Sequence, residues 1–441
     1  MRFALCGLIF LSLFASPAFA QTSIGFEDPG DLGPLLDYRL PTWSYRTWDA
    51  DFSLNGGGYD ARIAGEKSIY NNFNTGLGSE FMHYRQSEIC TRTLRAQVDG
   101  DYARSHSGQS DNESSRHTLT GRYNFALDAK RYLGTRPFGV IVGLDQGLSY
   151  DEQIASSRYE SNTEETERYS RRNSHGFKVG AVWGRARNVV PLIRAQRLSE
   201  RLAAMGYRRL TAAETQQVAE VFAAEFGYRR VFDRYSRHFW EDVLEPLLGE
   251  KLDPYEIFYL ADVLNEDVGT RDQGTEVTAT WQYSGTNQFR TSATEEDHRR
   301  NRDAVLIARW FRNLSLNHQV TASCGARYSF YNANYQGEEY ASLQAALSHL
   351  WNVADRHIWT NSLSYDGDSR IHGEAREKVV RLSSSWTMSI EDQLSLRTDL
   401  GTTYSWYRTQ SDDPVPADNI RTGWNWYFGV GVVYHLDRSF L

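Results

Sequence analysis

The stretch RTGWNWYFGVGVVYHLDRSFL, residues 421–441, decides the fold. One parity carries Trp424, Trp426, Phe428, Val430, Val432, Tyr434, Leu436 and Phe440, and the other carries Gly423, Asn425, Gly429, Gly431, His435, Asp437 and Ser439. A strand sends alternate side chains to opposite faces, so only a strand separates these two sets. One face is then apolar along about ten residues with aromatics toward both ends, and the other is polar. That pattern suits lipid outside and water inside a closed barrel.

The beginning of the chain agrees. Arg2 precedes an apolar run from Phe3 to Phe14, and Ala18, Phe19 and Ala20 form an A-x-A cleavage site before Gln21. Residues 1–20 read as a secretory signal peptide, too short to span a bilayer as a helix. With the closing strand, these features resemble the outer-membrane β-barrel proteins of Gram-negative bacteria as a class, whose chains often end in an aromatic residue. Here Phe440 is penultimate and Leu441 follows. The resemblance implies an outer-membrane location, contact with membrane lipid and lipopolysaccharide, and insertion by a barrel-assembly machinery.

Composition narrows the alternatives. After the signal peptide no apolar run approaches the ~20 residues of a transmembrane helix, so a membrane would be crossed by strands. With 26 Tyr, 12 Trp and 34 Gly among 441 residues, aromatic girdles on a barrel are favoured. The net charge of −8 is mild and mixed in sign, which argues against a nucleic-acid partner. Cys6 leaves with the signal peptide. Cys90 falls near a turn and Cys324 within a strand, and nothing in the sequence pairs them.

The parity test, repeated along the chain, predicts an all-β transmembrane antiparallel β-barrel of about fourteen strands with an α-helical insertion. The clearest strands place Leu94, Ala96 and Val98, then Phe138, Val140, Val142 and Leu144, then Phe177 and Val179, then Leu396 and Leu400 toward lipid. The stretches 48–54, 73–81, 304–310, 320–330, 343–351 and 358–365 alternate more weakly. Predicted links at 134–137, 313–318, 354–357 and 391–393 are short and periplasmic. Those at 105–116, 150–174, 285–302, 366–377 and 410–421 are long, polar and extracellular, the sorting expected of a barrel. The domains follow: signal peptide 1–20, periplasmic N-terminal segment 21–42, strands one to six over 43–189, helical insertion 190–268, and strands seven to fourteen over 269–441.

Within 190–268 the period turns helical. Leu198, Leu202 and Met205 share one stretch, Val218, Val221, Phe222 and Phe226 the next. Thr211 through Glu214 spell a capping box, with Gly227 as the stop, and Asp253, Pro254 and Glu256 start another helix. A third amphipathic helix is expected over 231–248, bent at Pro246. Counting strands puts the insertion in the periplasm or, turned upward, in the lumen as a plug.

Charges expected to line the pore are Arg95, Arg122, Arg309, Arg327, Arg381 and Arg397 with Asp99, Asp101, Asp128, Asp145 and Asp399. An Arg ladder beside acids can define an ion-selective constriction. The same residues also serve as cross-strand pairs that stabilise a polar interior. In the insertion, Arg230, Arg234, Arg237 and Trp240 are the candidates for a partner-binding face, since Arg and Trp anchor interfaces. A small helical domain with a solvated basic edge accounts for them equally. The run 160–167, with Glu164 and Glu165, is read as an acidic loop that either bridges lipopolysaccharide through divalent cations or is merely solvated. No G-x-S-x-G, H-E-x-x-H or phosphate loop is present, so no catalytic residues, metal ligands or cofactor are expected. The functional expectation is a porin-like channel or transporter for a polar solute. The alternatives are a membrane-anchored scaffold docking a periplasmic partner and, least supported, an outer-membrane hydrolase.

Overall fold

A computed structural model of the chain describes residues 38–434, apart from short stretches at 64–65, 110–111, 135, 160–161, 246–251, 265, 267, 291–296, 333–337, 355–356, 372–375, 392–393 and 410–418. The signal peptide, most of the N-terminal segment, the bend at Pro246, and Phe440 with Leu441 lie outside the described residues.

Six strands come first: β1 (Trp43–Ile63), β2 (Glu66–Gln86), β3 (Cys90–Gln109), β4 (Asn112–Tyr132), β5 (Phe138–Tyr159) and β6 (Asn162–Asn188). Five helices follow: α1 (Val190–Ala204), α2 (Ala212–Ala223), α3 (Glu225–Val231), α4 (Tyr235–Leu244) and α5 (Pro254–Ala261), with a 3-10 turn at Asp262–Leu264. Eight more strands complete the order: β7 (Asp272–Arg290), β8 (Asp297–Asn313), β9 (His318–Asn332), β10 (Glu338–Ala354), β11 (His357–Arg370), β12 (Arg376–Glu391), β13 (Leu394–Thr409) and β14 (Asn419–Tyr434). All fourteen form one antiparallel sheet in sequence order. Among the described residues no ladder joins β14 to β1.

The register carries the alternation from strand to strand. Leu347 pairs with Leu363 and Leu363 with Leu382, each about half exposed, so one face presents an apolar band. On β5 that band runs from Phe138 to Leu148 and on β14 from Trp424 to Val432, close to the ~9–11 residues of a membrane-crossing strand. Aromatics border it. Trp351, Trp359 and Trp386 are successive cross-strand partners near the short turns, and Tyr404 packs on Trp424 at 4.9 Å near the other edge.

The strands do not stop at the band. β6 has 27 residues, and the ladder between β5 and β6 continues to Tyr159 opposite Asn162. The long loops expected at 105–116, 150–174, 285–302 and 366–377 are therefore largely paired strand. Glu164 and Glu165 sit in that ladder opposite Ser157 and Ser156, not in a loop. Outside an apolar environment both faces of a strand are polar, and the alternation that reveals a strand vanishes while backbone pairing persists.

The helices form a unit with its own core. Leu192, Ile193, Leu198 and Leu202 of α1 pack with Val218 and Phe222 of α2, Phe239 and Val243 of α4, Leu260, Val263 and Tyr38. Capping boxes open α2 at Thr211 and α5 at Asp253, as the sequence predicts. Arg208 and the Thr211 amide and hydroxyl hold the Glu214 carboxylate down to about 2. Gly227 does not stop a helix. α2 ends at Ala223, and Gly227 lies inside α3, where its missing side chain admits the Trp43 ring at 3.4 Å from the position a Cβ would take. The helix expected over 231–248 is broken at 232–234.

Candidate functional site: the inner face and its helical cover

Contacts between strands that are not neighbours identify the concave face. Lys130 of β4 reaches Glu276 of β7 at 2.6 Å, and Tyr132 donates to the same carboxylate at 3.2 Å. With β5 and β6 between them, these side chains meet only if the sheet curves toward them. The inner face therefore carries the polar parity, opposite the apolar band.

Along this face the expected residues are found, most of them paired. Arg95 pairs with Glu80 at 2.8 Å, Asp128 with Lys178, Arg327 with Asp303 at 2.5 Å, and Arg381 with Asp366. Arg397 and Asp399, two residues apart on β13, lie at 2.9 Å. Asp99 stands opposite Arg122, and Glu276 opposite Arg309, as register partners. Asp101 accepts from Thr120 at 3.4 Å. Asp145 leans over Gly176. Glu80, Lys130, Glu276, Asp303 and Asp366 are the wall residues sequence reading missed. For Glu80 the signal was weak, because Gly76 and Gly78 occupy the same parity in place of polar side chains.

Between the charges, β10 to β12 also contribute hydroxyls, among them Ser348, Ser362, Ser383 and Ser385, with Ser362 and Ser383 joined at 2.6 Å.

At the short-turn end the helical unit is held on two sides. Toward β8 to β10 the attachment is buried and polar. Arg271, fully buried, donates to Val268 O at 3.1 Å, Asn317 O at 2.9 Å, Asn313 Oδ1 at 3.5 Å and Asn352 Oδ1. Burial first, and Arg197 second, press its pKa down to about 9, which leaves it charged at neutral pH. Beside it Glu266, also buried, receives Arg197 at 2.5 Å and Arg201. The Val189 amide donates to Arg271 O at 2.9 Å, joining the entry and exit of the insertion. Gly269, at φ 67°, brings the chain against Leu350 with no side chain between.

Toward β1 the attachment is aromatic and half open. Phe226 meets the Tyr45 ring edge-on at 5.6 Å, Gly227 faces Trp43, and Arg230 pairs with Asp49 at 3.2 Å. Tyr38 enters the helical core from the segment leading into β1. Leu40 N donates to Glu88 at 3.0 Å, and Glu88 also takes Arg185 at 2.7 Å and Arg187 at 2.6 Å. Burial alone would raise the Glu88 pKa, but the bonds from Arg187, Leu40 N and Arg185 outweigh it and hold the carboxyl below its usual range.

Of the four partner-binding candidates, Arg230 is thus turned to β1. Arg237 pairs with Glu241 on the exposed face of α4, Arg234 precedes that helix, and Trp240 packs edge-on against Phe239 of the helical core. Cys90 is a free thiol, and no metal-ligating cluster occurs among the described residues.

No protein-family model and no curated protein matches the chain. Solved structures similar to it are outer-membrane β-barrels. The translocator domain of the autotransporter NalP from Neisseria meningitidis is 10% identical, with 76% of this chain and 86% of that one covered and a TM-score of 0.24. The ferric yersiniabactin uptake receptor FyuA from Yersinia pestis is 6% identical over 88% of this chain and 61% of its own, at 0.36. The transport unit of the autotransporter AIDA-I from Escherichia coli is 10% identical, with 97% of each chain covered, at 0.18. Likenesses this distant carry nothing about solute or mechanism.

Proposed function

We propose that this chain is an outer-membrane β-barrel that passes a polar solute, with its helical unit lying across the periplasmic mouth. The observation that carries the reading is that one helical unit touches both β1 and, through Arg197 with Asn317 and the core with Leu316, the turn between β8 and β9. In a closed cylinder of fourteen strands, β1 and β8 stand about half a circumference apart. A body touching both spans the opening. The apolar band, its aromatic borders and the polar concave face support a lipid-exposed outside and a wet inside. Planar-bilayer recordings of the purified full chain test the proposal. Discrete conductance steps are expected, rare in the intact protein and frequent when the attachment to β1 is weakened. Silence from folded protein under both conditions would end the channel reading.

A second reading is favoured by α5, where Tyr255 and Phe258 are 82% and 68% exposed. Bare aromatics on a periplasmic helix suit a scaffold that docks an envelope protein. Photo-cross-linking from Tyr255 in intact cells would capture such a partner, and only solvent products would count against it.

A further inference from the structure

We infer that the helical unit is a lid, hinged at β8 to β10 and latched on β1, a proposal whose functional meaning rests on the channel reading above. Both covalent connections of the insertion are on the hinge side, because Asn188 at the end of β6 pairs with Asp272 at the start of β7. The buried guanidinium of Arg271 sits there too, with its acceptors on Asn313, Asn317 and Asn352 in place, and Arg197 of α1 reaches Asn317 Oδ1 at 3.5 Å. A buried ion stripped of one partner is strongly destabilising, so these contacts resist opening.

The latch differs in every respect. Its ion pair, Arg230 with Asp49, is about half exposed on both sides, the class of contact that holds least. Its two anchors, Tyr38 and Trp43, each possess a single polar side-chain atom. In both, that atom is buried without a hydrogen-bond partner among the described residues. Such groups regain hydrogen bonds in water, so release is compensated at the latch and uncompensated at the hinge. Gly227 also leaves α3 touching Trp43 with no side chain of its own at that point. The segment 38–42 acts as a strap. Tyr38 leaves the helical core when α3 leaves β1.

Spin-label distances in the full chain, reconstituted in lipid nanodiscs on a Cys90→Ser, Cys324→Ser background, test the motion independently of conduction. One label pair, at Ser44 and Arg237, reads the latch. A second, at Leu314 and Glu200, reads the hinge. Arg230→Asp and Gly227→Trp should lengthen the latch distance, with the long-distance fraction rising several-fold. Tyr38→Phe, which removes an orphaned hydroxyl, should shift it toward the short distance, and the hinge pair should stay constant throughout. Conductance in the same variants should rise and fall with the latch. Unchanged latch distances in all three folded variants would overturn the lid. Hinge labels that separate together with the latch labels would overturn the hinge, since the unit would then detach whole. Moving latch distances with a silent bilayer would leave the lid standing and sink the channel reading instead.

Discussion

The two attachments of the helical unit solve the same problem with opposite chemistry. Toward β8 to β10, charged groups are withdrawn from water and matched almost atom for atom, whereas toward β1 aromatic rings and one open ion pair make the contact. Buried ionic groups contribute little net stability when complete but are costly to leave incomplete. Exposed pairs contribute little in either state. The difference teaches that rigidity at a junction depends on the penalty for breaking its contacts one at a time rather than on their number.

The largest effect is expected inside the helical unit, beside the buried attachment, from Glu266→Ala. It strands Arg197 and Arg201 and should cost about 3 to 5 kcal/mol, read as loss of hydrogen-exchange protection in α1. Protection retained at the parent level would erase the contrast. A substitution in the wall gives a yardstick remote from both attachments. Leu400→Arg, on the apolar band, should cost about 2 to 4 kcal/mol in urea titrations of the membrane-embedded protein, while Ser395→Arg on the inner face is tolerated. Equal costs at the two parities would show the face assignment to be inverted. Within the helical unit, Thr211→Ala should lower the thermal stability of the helices by about 1 kcal/mol through loss of the cap on α2, leaving both attachments intact. Smallest of all, Arg230→Ala should change the unfolding free energy by less than about 1 kcal/mol.

Acid sharpens the comparison further. The Glu88 carboxyl is depressed in the folded chain, so its contribution is present above its unfolded value near 4.5 and is lost as pH falls through the lower folded value. As pH falls through that lowered value, the contacts of Glu88 with Leu40, Arg185 and Arg187 should loosen. Exchange of the Leu40 amide should accelerate in that window while amides around Arg271 stay protected. Simultaneous loss at both places would mean that they do not act as separate junctions.

Much of the wall was legible in the sequence because lipid enforces alternation. Val140, Val142 and Leu144 announce β5, and Val179 opposite Val142 confirms the register. The same signal fails at Ser156 and Glu165, which pair just as regularly, because water on both sides leaves nothing to alternate. Caps are local and were readable at Thr211 and Asp253. The hinge was not. Arg271 finds Asn352, 81 positions away, and Glu276 finds Lys130, 146 positions away, and no spacing within a segment encodes such meetings. Gly227 misled because glycine also occurs within a helix, here in α3 where it faces the Trp43 ring.

The order of the sheet bears on how the chain comes together. Every described ladder joins strands consecutive in sequence, and all but β6 with β7, which the helical insertion separates, are joined by short connections with low loop-closure cost. The bonds from Arg271 to Asn313, Asn317 and Asn352 are different, because their acceptors lie on strands made after the helices. During synthesis the helical unit follows its β1 contacts and precedes these acceptors, so the buried attachment is completed only once β10 exists.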